Sequence, residues 1–155
     1  MFDDHVPAEE RIYSGRRIAI LVLNRDFIGR YKPAVPYIVI SITDPDRPFA
    51  ALAASPTKRG ELRLKFHESA QKPDLPGLEG MFENTDEGLR RDDAVTLLRF
   101  VRSHIENIEL IICQCEAGIS RSAGVAAALS RLYNNDDAFF FENYIPNTDV
   151  YRALI

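Results

Sequence analysis

Cysteine is scarce in this chain: Cys113 and Cys115 are its two examples among 155 residues. Two positions apart on a strand, they are poorly placed for an unstrained disulfide, so a disulfide framework is excluded and reduced thiols in a cytoplasmic setting are expected. Long apolar runs are also missing. None approaches the roughly 20 residues of a membrane span, which argues against a membrane partner. The first residues, "MFDDHVPAEERIYSGRR", are acidic and polar, without the basic start and apolar middle of a secretory signal. Positive charge is not in excess either. A net charge of −4 supplies no overall field to hold nucleic acid or anionic lipid, so an anion site has to be local. Of the histidines, neither His67 nor His104 has a partner at ligand spacing, so neither a metal site nor a cofactor is expected. Repeats and low-complexity segments are absent.

What is present fits one domain over 1–155, with 1–15 as a flexible extension. Hydrophobic residues at 46% and charged residues at 27% are ordinary for a globular chain of this length. "RRIAILVLN" and "PYIVISIT" are short, β-branched and apolar, and read as buried strands. The basic stretch "GRRIAILVLNRDFIGRYK" reads as a solvated strand face. "TDPDRP" closes the second strand as a loop. "KRGELRLKFHES" alternates through Leu62, Leu64 and Phe66 as a third strand, and "AQKPDLPGLEG" is too rich in Pro and Gly for regular structure, which makes it a candidate lid.

"NTDEGLRRDDAVTLLRFVRSHI" repeats apolar residues at helical spacing, with Asn84 or Thr85 as cap and Asp86 and Glu87 in the first turn. "IELIICQ" reads as a strand buried on both faces, and "SAGVAAALSRLY" as a helix ending at Asn134 and Asn135. The tail reads as two short helices broken at Pro146, its three consecutive Phe serving core packing. Strands alternating with helices predict an α/β fold, a largely parallel central sheet flanked by helices.

The stretch "ICQCEAGISRSAG" therefore lies between a sheet strand and a helix N-terminus. Such a loop directs backbone N–H groups at one spot, and the helix dipole adds partial positive charge, so it can cradle phosphate. Gly118 permits close backbone approach, and Arg121 offers a planar fork for two oxygens at once. Cys115 at the start of the loop would lie beneath the bound anion, in a field that favours the nucleophilic thiolate, and Ser122 could donate to its sulfur.

"CEAGISRS", Cys115 to Ser122, resembles the signature loop of the cysteine-dependent protein tyrosine and dual-specificity phosphatases, Cys-x5-Arg followed by Ser or Thr. The resemblance runs from "LRLKF" through the helix after the loop and, more loosely, into the tail, which is similar to the ends of small bacterial-type members. The first 60 residues carry no matching signature, and their two strands are expected at a sheet edge. The resemblance implies that Cys115 attacks the phosphorus of a phosphomonoester, that Arg121 and the backbone of Glu116, Ala117, Gly118, Ile119 and Ser120 bind the phosphoryl oxygens, and that water hydrolyses a phosphocysteine without a metal. It also implies a general acid on a preceding loop. Two residues compete for that role, Glu68 by register and Asp74 by residue type. Gln114 stands where relatives have a histidine.

The expected substrate is a phosphorylated protein or a small phosphomonoester. The alternative is a phosphate-binding pseudophosphatase with little turnover. A rhodanese-like sulfurtransferase also begins an anion loop with cysteine, but Arg121 followed by Ser122 argues for the phosphatase. A phosphoinositide substrate is disfavoured because the loop contains Glu116 and no lysine.

Overall fold

A computed structural model of the chain describes residues 12–15, 17–68 and 88–155. The β-branched runs become three parallel strands: β2 (Ala19–Leu23), β3 (Tyr37–Thr43) and β5 (Leu110–Gln114). Two further strands, β1 (Ile12–Ser14) and β4 (Lys58–Lys65), complete a sheet of order β1-β2-β5-β3-β4 in which β1 alone runs antiparallel. The α/β fold with its largely parallel sheet is the one predicted. Two expectations fail. β2 and β3 are the strands beside β5 rather than an edge, and Ile12–Ser14 pairs with Ala19–Leu21 instead of belonging to a flexible extension.

Alternation along the strands sorts the core into two layers. Ile20, Val22, Ile38, Ile40, Ile111 and Cys113 face one side, while Leu21, Leu23, Tyr37, Val39 and Ile112 face the other. The longer helices cover the first side: α2 (Arg91–His104), α3 (Arg121–Asn134), α4 (Ala138–Asn143) and α5 (Thr148–Leu154). The second side is closed by the short α1 (Arg25–Ile28) and by Ala50 and Leu52 of the β3–β4 connection. The basic stretch around β2 is therefore no solvated strand face. β2 is almost wholly buried, and Arg25 begins α1.

α2 buries Ala94, Leu97 and Val101, as the apolar spacing predicts, but starts later than expected. Its cap position is Arg90, so Asp92 and Asp93 meet the positive end of its dipole. Residues 84–87 and the proposed lid over 70–80 lie outside the described residues. α3 ends where predicted, on Asn135 in the left-handed conformation at φ 57°. Of the three Phe, only Phe140 is fully buried, and Phe141 is exposed. α4 and α5 are separated at Pro146, and Asn147 caps α5 by accepting from the N–H groups of Asp149 and Val150 at 3.0 Å. Among the described residues, no helix is long and apolar enough to cross a membrane.

Because β2, β3, β4 and β5 are parallel, their carboxyl ends emerge on one edge of the sheet. That edge collects Asn24 and Arg25, Asp44, Phe66 to Glu68, and Cys115.

Candidate active site

Cys115 directly follows β5 and is 2% exposed, its Sγ lying 3.0 Å from Ser122 Oγ in the first turn of α3. At that distance the Ser122 hydroxyl can donate to an ionised sulfur. Cys113 sits two residues earlier, buried in the core, and burial, with Cys115 as a lesser cause, pushes its thiol pKa far up. Cys113 is thus a packing residue held in the neutral form. Both cysteines are free.

The loop turns on Gly118, at φ +68°. Its Cα faces the end of β2 so closely that a Cβ would stand 2.7 Å from Asn24 N and 2.8 Å from Leu23 C. Two main-chain bonds hold the loop to that strand end: Cys115 N–H donates to Leu23 O (3.4 Å) and Arg25 N–H to Glu116 O (3.2 Å). Among the described residues, no group accepts from the N–H of Ala117, Gly118, Ile119 or Ser120. Ser120 occupies the cap position of α3 without capping it, its hydroxyl donating instead to Glu68 Oε1 at 2.8 Å. The helix start and the loop therefore offer uncommitted donors to an anion.

Arg121, the first residue of α3, is 6% exposed. Its Nη1 donates to Asp44 Oδ1 and to Phe66 O, both at 2.7 Å. Among the described residues its buried Nε has no hydrogen-bond partner, although it is ion-paired at 3.9 Å with the carboxylate of Glu68. A buried guanidinium N–H without an acceptor is rare and demands a reason. An oxyanion seated in the loop supplies one.

Glu68, one of the two candidate acids, stands at this site, and Glu68 Oε1 also accepts from Asn147 Nδ2 at 2.7 Å. Asn147 N–H donates in turn to Ser120 O at 2.9 Å. Asp74, the other candidate, lies outside the described residues. Gln114 is fully buried and fully engaged: Ser41 Oγ donates to its Oε1, and its Nδ-equivalent amide, Nε2, donates to Cys115 O at 2.9 Å. It thereby links Ser41 of the neighbouring strand β3 to the backbone at Cys115.

Several groups here have no local signal in the sequence. Asp44 stands 77 residues from Arg121. Arg25 and Arg47 converge on Glu116, Nη1 to Oε1 at 3.0 Å and Nη1 to Oε2 at 2.6 Å, and Arg25 Nη2 also donates to Pro48 O at 2.6 Å. Glu116, next to Cys115, thus ties the loop to α1 and to the β3–β4 connection. With side chains 18% and 14% exposed, the Arg25–Glu116 pair is largely shielded from water, so Glu116→Ala would leave two guanidiniums unbalanced. We expect a loss of about 1–2 kcal/mol by thermal unfolding, and less for Glu116→Gln, which keeps an acceptor. Equal stability of both variants and the parent would show that the triad contributes nothing.

No protein-family model and no curated relative matches the sequence. Solved structures do match. The human tyrosine phosphatase-like serine/threonine/tyrosine-interacting protein aligns over 94% of this chain and 93% of its own, with 14% identity and a TM-score of 0.58. A mouse putative dual specificity phosphatase aligns over 99% and 89%, with 16% identity and a TM-score of 0.51. A mutant form of Tk-PTP aligns over 96% and 95%, with 14% identity and a TM-score of 0.50. The chain has the fold of the cysteine-dependent tyrosine and dual-specificity phosphatases.

Proposed function

We propose that the protein is a phosphomonoester hydrolase of the tyrosine or dual-specificity type that works through a phosphocysteine. The observation that carries this reading is the Cys115–Ser122 pair next to a buried Arg121 Nε and loop amides that, among the described residues, have no hydrogen-bond acceptor. These are donors fixed in advance where negative charge would gather on a transferring phosphoryl group. The mouse neighbour was complexed with zinc tungstate, and tungstate, like phosphate, is a tetrahedral oxyanion.

In the first step Cys115 Sγ attacks phosphorus, the S–P bond forms, the bond from phosphorus to the leaving oxygen breaks, and Glu68 gives that oxygen its proton. In the second, water attacks phosphorus, the S–P bond breaks with the electron pair returning to sulfur, and Glu68 takes the proton from the water. Ser122 holds the sulfur through both. Arg121, anchored by Asp44, holds equatorial oxygens. Glu68 is preferred to Asp74 here because it stands against the loop through Ser120. The substrate is a phosphorylated protein or a small phosphomonoester.

The test is a pH–rate profile with para-nitrophenyl phosphate for the parent, Cys115→Ser, Glu68→Gln and Asp74→Asn. Cys115→Ser should show no turnover. Glu68→Gln should lose the basic limb, and with phenyl phosphate, whose leaving group needs the proton more, it should be slower by roughly 100- to 10,000-fold. Parent-like turnover by Cys115→Ser would refute the phosphocysteine, and a basic limb lost only in Asp74→Asn would transfer the acid role.

A further inference from the structure

Ile145 is 74% exposed and Ile119 46%, and they stand side by side, Ile145 N–H donating to Ile119 O at 3.2 Å. Ile119 belongs to the signature loop and Ile145 to the α4–α5 connection. Between these segments lies a cleft of about 540 Å³, bounded by Ala117, Gly118 and Ile119 on one side and by Asn143, Tyr144 and Ile145 on the other. The cleft therefore shares three residues with the loop that would hold the phosphoryl group. Ile145 also borders a second hollow, of about 450 Å³, that contains Glu68, Ser120 and Asn147. It forms the ridge between an acid-bearing side and an apolar side.

Both asparagine side chains of the apolar side are engaged within the protein, and its free main-chain donors are those the signature loop would turn to the phosphoryl group. Asn24 Oδ1 accepts from Phe27 N–H at 2.8 Å as the cap of α1, and Asn143 Nδ2 donates to Phe139 O at 2.8 Å. Among the described residues the lining carries one charged group, Glu142, and no cation. An acidic occupant would meet a like charge and find no basic partner, whereas an apolar one would cover Ile119 and Ile145 and remove both from water. Since the cleft opens beside the loop, its occupant is a part of the same molecule whose phosphoryl group the loop holds.

We propose that this cleft is the specificity pocket of the site and takes an uncharged apolar side chain flanking the phosphorylated residue of a phosphopeptide. The proposal rests on the phosphatase reading and narrows it from phosphomonoesters in general to peptides.

Three phosphotyrosyl peptides differing only in the flanking residue, Leu, Ser or Asp, test it on the parent and on Ile145→Asp, with para-nitrophenyl phosphate, which has no flanking residue, as the reference substrate. Ile145 is exposed, so the variant should fold, and each peptide rate is read relative to the same protein's para-nitrophenyl phosphate rate, which cancels any effect of the new carboxylate on the phosphoryl site itself. The parent should favour the Leu peptide over the Ser peptide by about tenfold in kcat/KM, equivalent to about 1.4 kcal/mol. The Asp peptide should be poorer still, and Ile145→Asp should abolish the preference for Leu over Ser. Peptide rates within twofold of one another in a parent active on para-nitrophenyl phosphate would overturn the cleft and leave the phosphatase reading intact. A preference for Leu over Ser that survives in Ile145→Asp would do the same. If the aryl phosphate is not hydrolysed, the phosphatase reading falls, and calorimetric binding of the same peptides decides the cleft by the same ranking.

Discussion

Arg121→Lys should lower kcat/KM for an aryl phosphate by about 1,000-fold or more while the protein stays folded. The substitution keeps a positive charge and removes a shape. In the native site the guanidinium divides its work: Nη1 is committed to Asp44 and to Phe66 O, and buried Nε has no hydrogen-bond acceptor among the described residues. One edge is an anchor and the rest is available to oxygens. A lysine ammonium is a single point charge on a flexible stem and cannot hold Asp44 and two phosphoryl oxygens in a fixed plane together. Loss of one pre-aimed donor at a developing oxyanion costs roughly 100- to 1,000-fold, and here the planar contact is lost as well. The loss should fall mainly on kcat, because the oxygens are held most strongly in the transition state. If the lysine variant keeps more than a tenth of parental kcat/KM, the planar fork is not what stabilises the transferring group.

The importance of Asp44 follows from topology. A parallel sheet places the carboxyl ends of neighbouring strands side by side, and a crevice there is the usual place for a ligand in an open α/β sheet. With β5 between β2 and β3, the residues just beyond those strands, Asn24 and Asp44, become neighbours of the loop although they lie far from it in the chain. β4 brings Phe66 and Glu68 to the same edge. The site is thus local in its nucleophile and non-local in everything that holds Arg121 in place.

That division explains what could be read in the sequence. Cys115, Gly118, Arg121 and Ser122 lie within one turn-and-helix segment, so their spacing states their geometry. The buried strands were legible because Ile, Val and Leu fill both faces of β2, β3 and β5. Their order was not, since an apolar run declares burial without declaring its neighbours, and β2 and β3 were therefore expected at an edge. The start of α2 was misplaced because "NTDEG" and "RRDD" both supply polar caps and first-turn acids, and sequence alone does not choose between them. Arg25 read as part of a solvated strand face and Asp44 and Arg47 only as members of the "TDPDRP" loop, as their partners are supplied by the sheet order. Gln114 read as a departure from a pattern, whereas its two hydrogen bonds, to Ser41 and to Cys115 O, depend on the pairing of β3 with β5.

Gly118→Ala should both destabilise the protein and disable the loop. Two separate penalties add. At φ +68° an alanine is strained by about 1–2 kcal/mol, because its Cβ crowds the following carbonyl in the left-handed region. The new methyl would also stand 2.7 Å from Asn24 N, 2.8 Å from Leu23 C and 2.9 Å from Leu23 O. These are main-chain atoms at the end of a buried strand, so the overlap cannot be relieved by a side-chain rotation, and forced overpacking of this kind costs typically 1–3 kcal/mol. Together they amount to about 2–5 kcal/mol, a fall in melting temperature of roughly 5–15 °C for a chain of this size. The relief available is a retreat of the loop from β2, which strains the Cys115 N–H to Leu23 O and Arg25 N–H to Glu116 O bonds that hold it. Activity should therefore fall further than the unfolded fraction explains, measured well below the melting temperature. An alanine variant with parental melting temperature and parental turnover would mean that the loop tolerates a side chain there, and the close seat of the loop on β2 would not be what shapes the site.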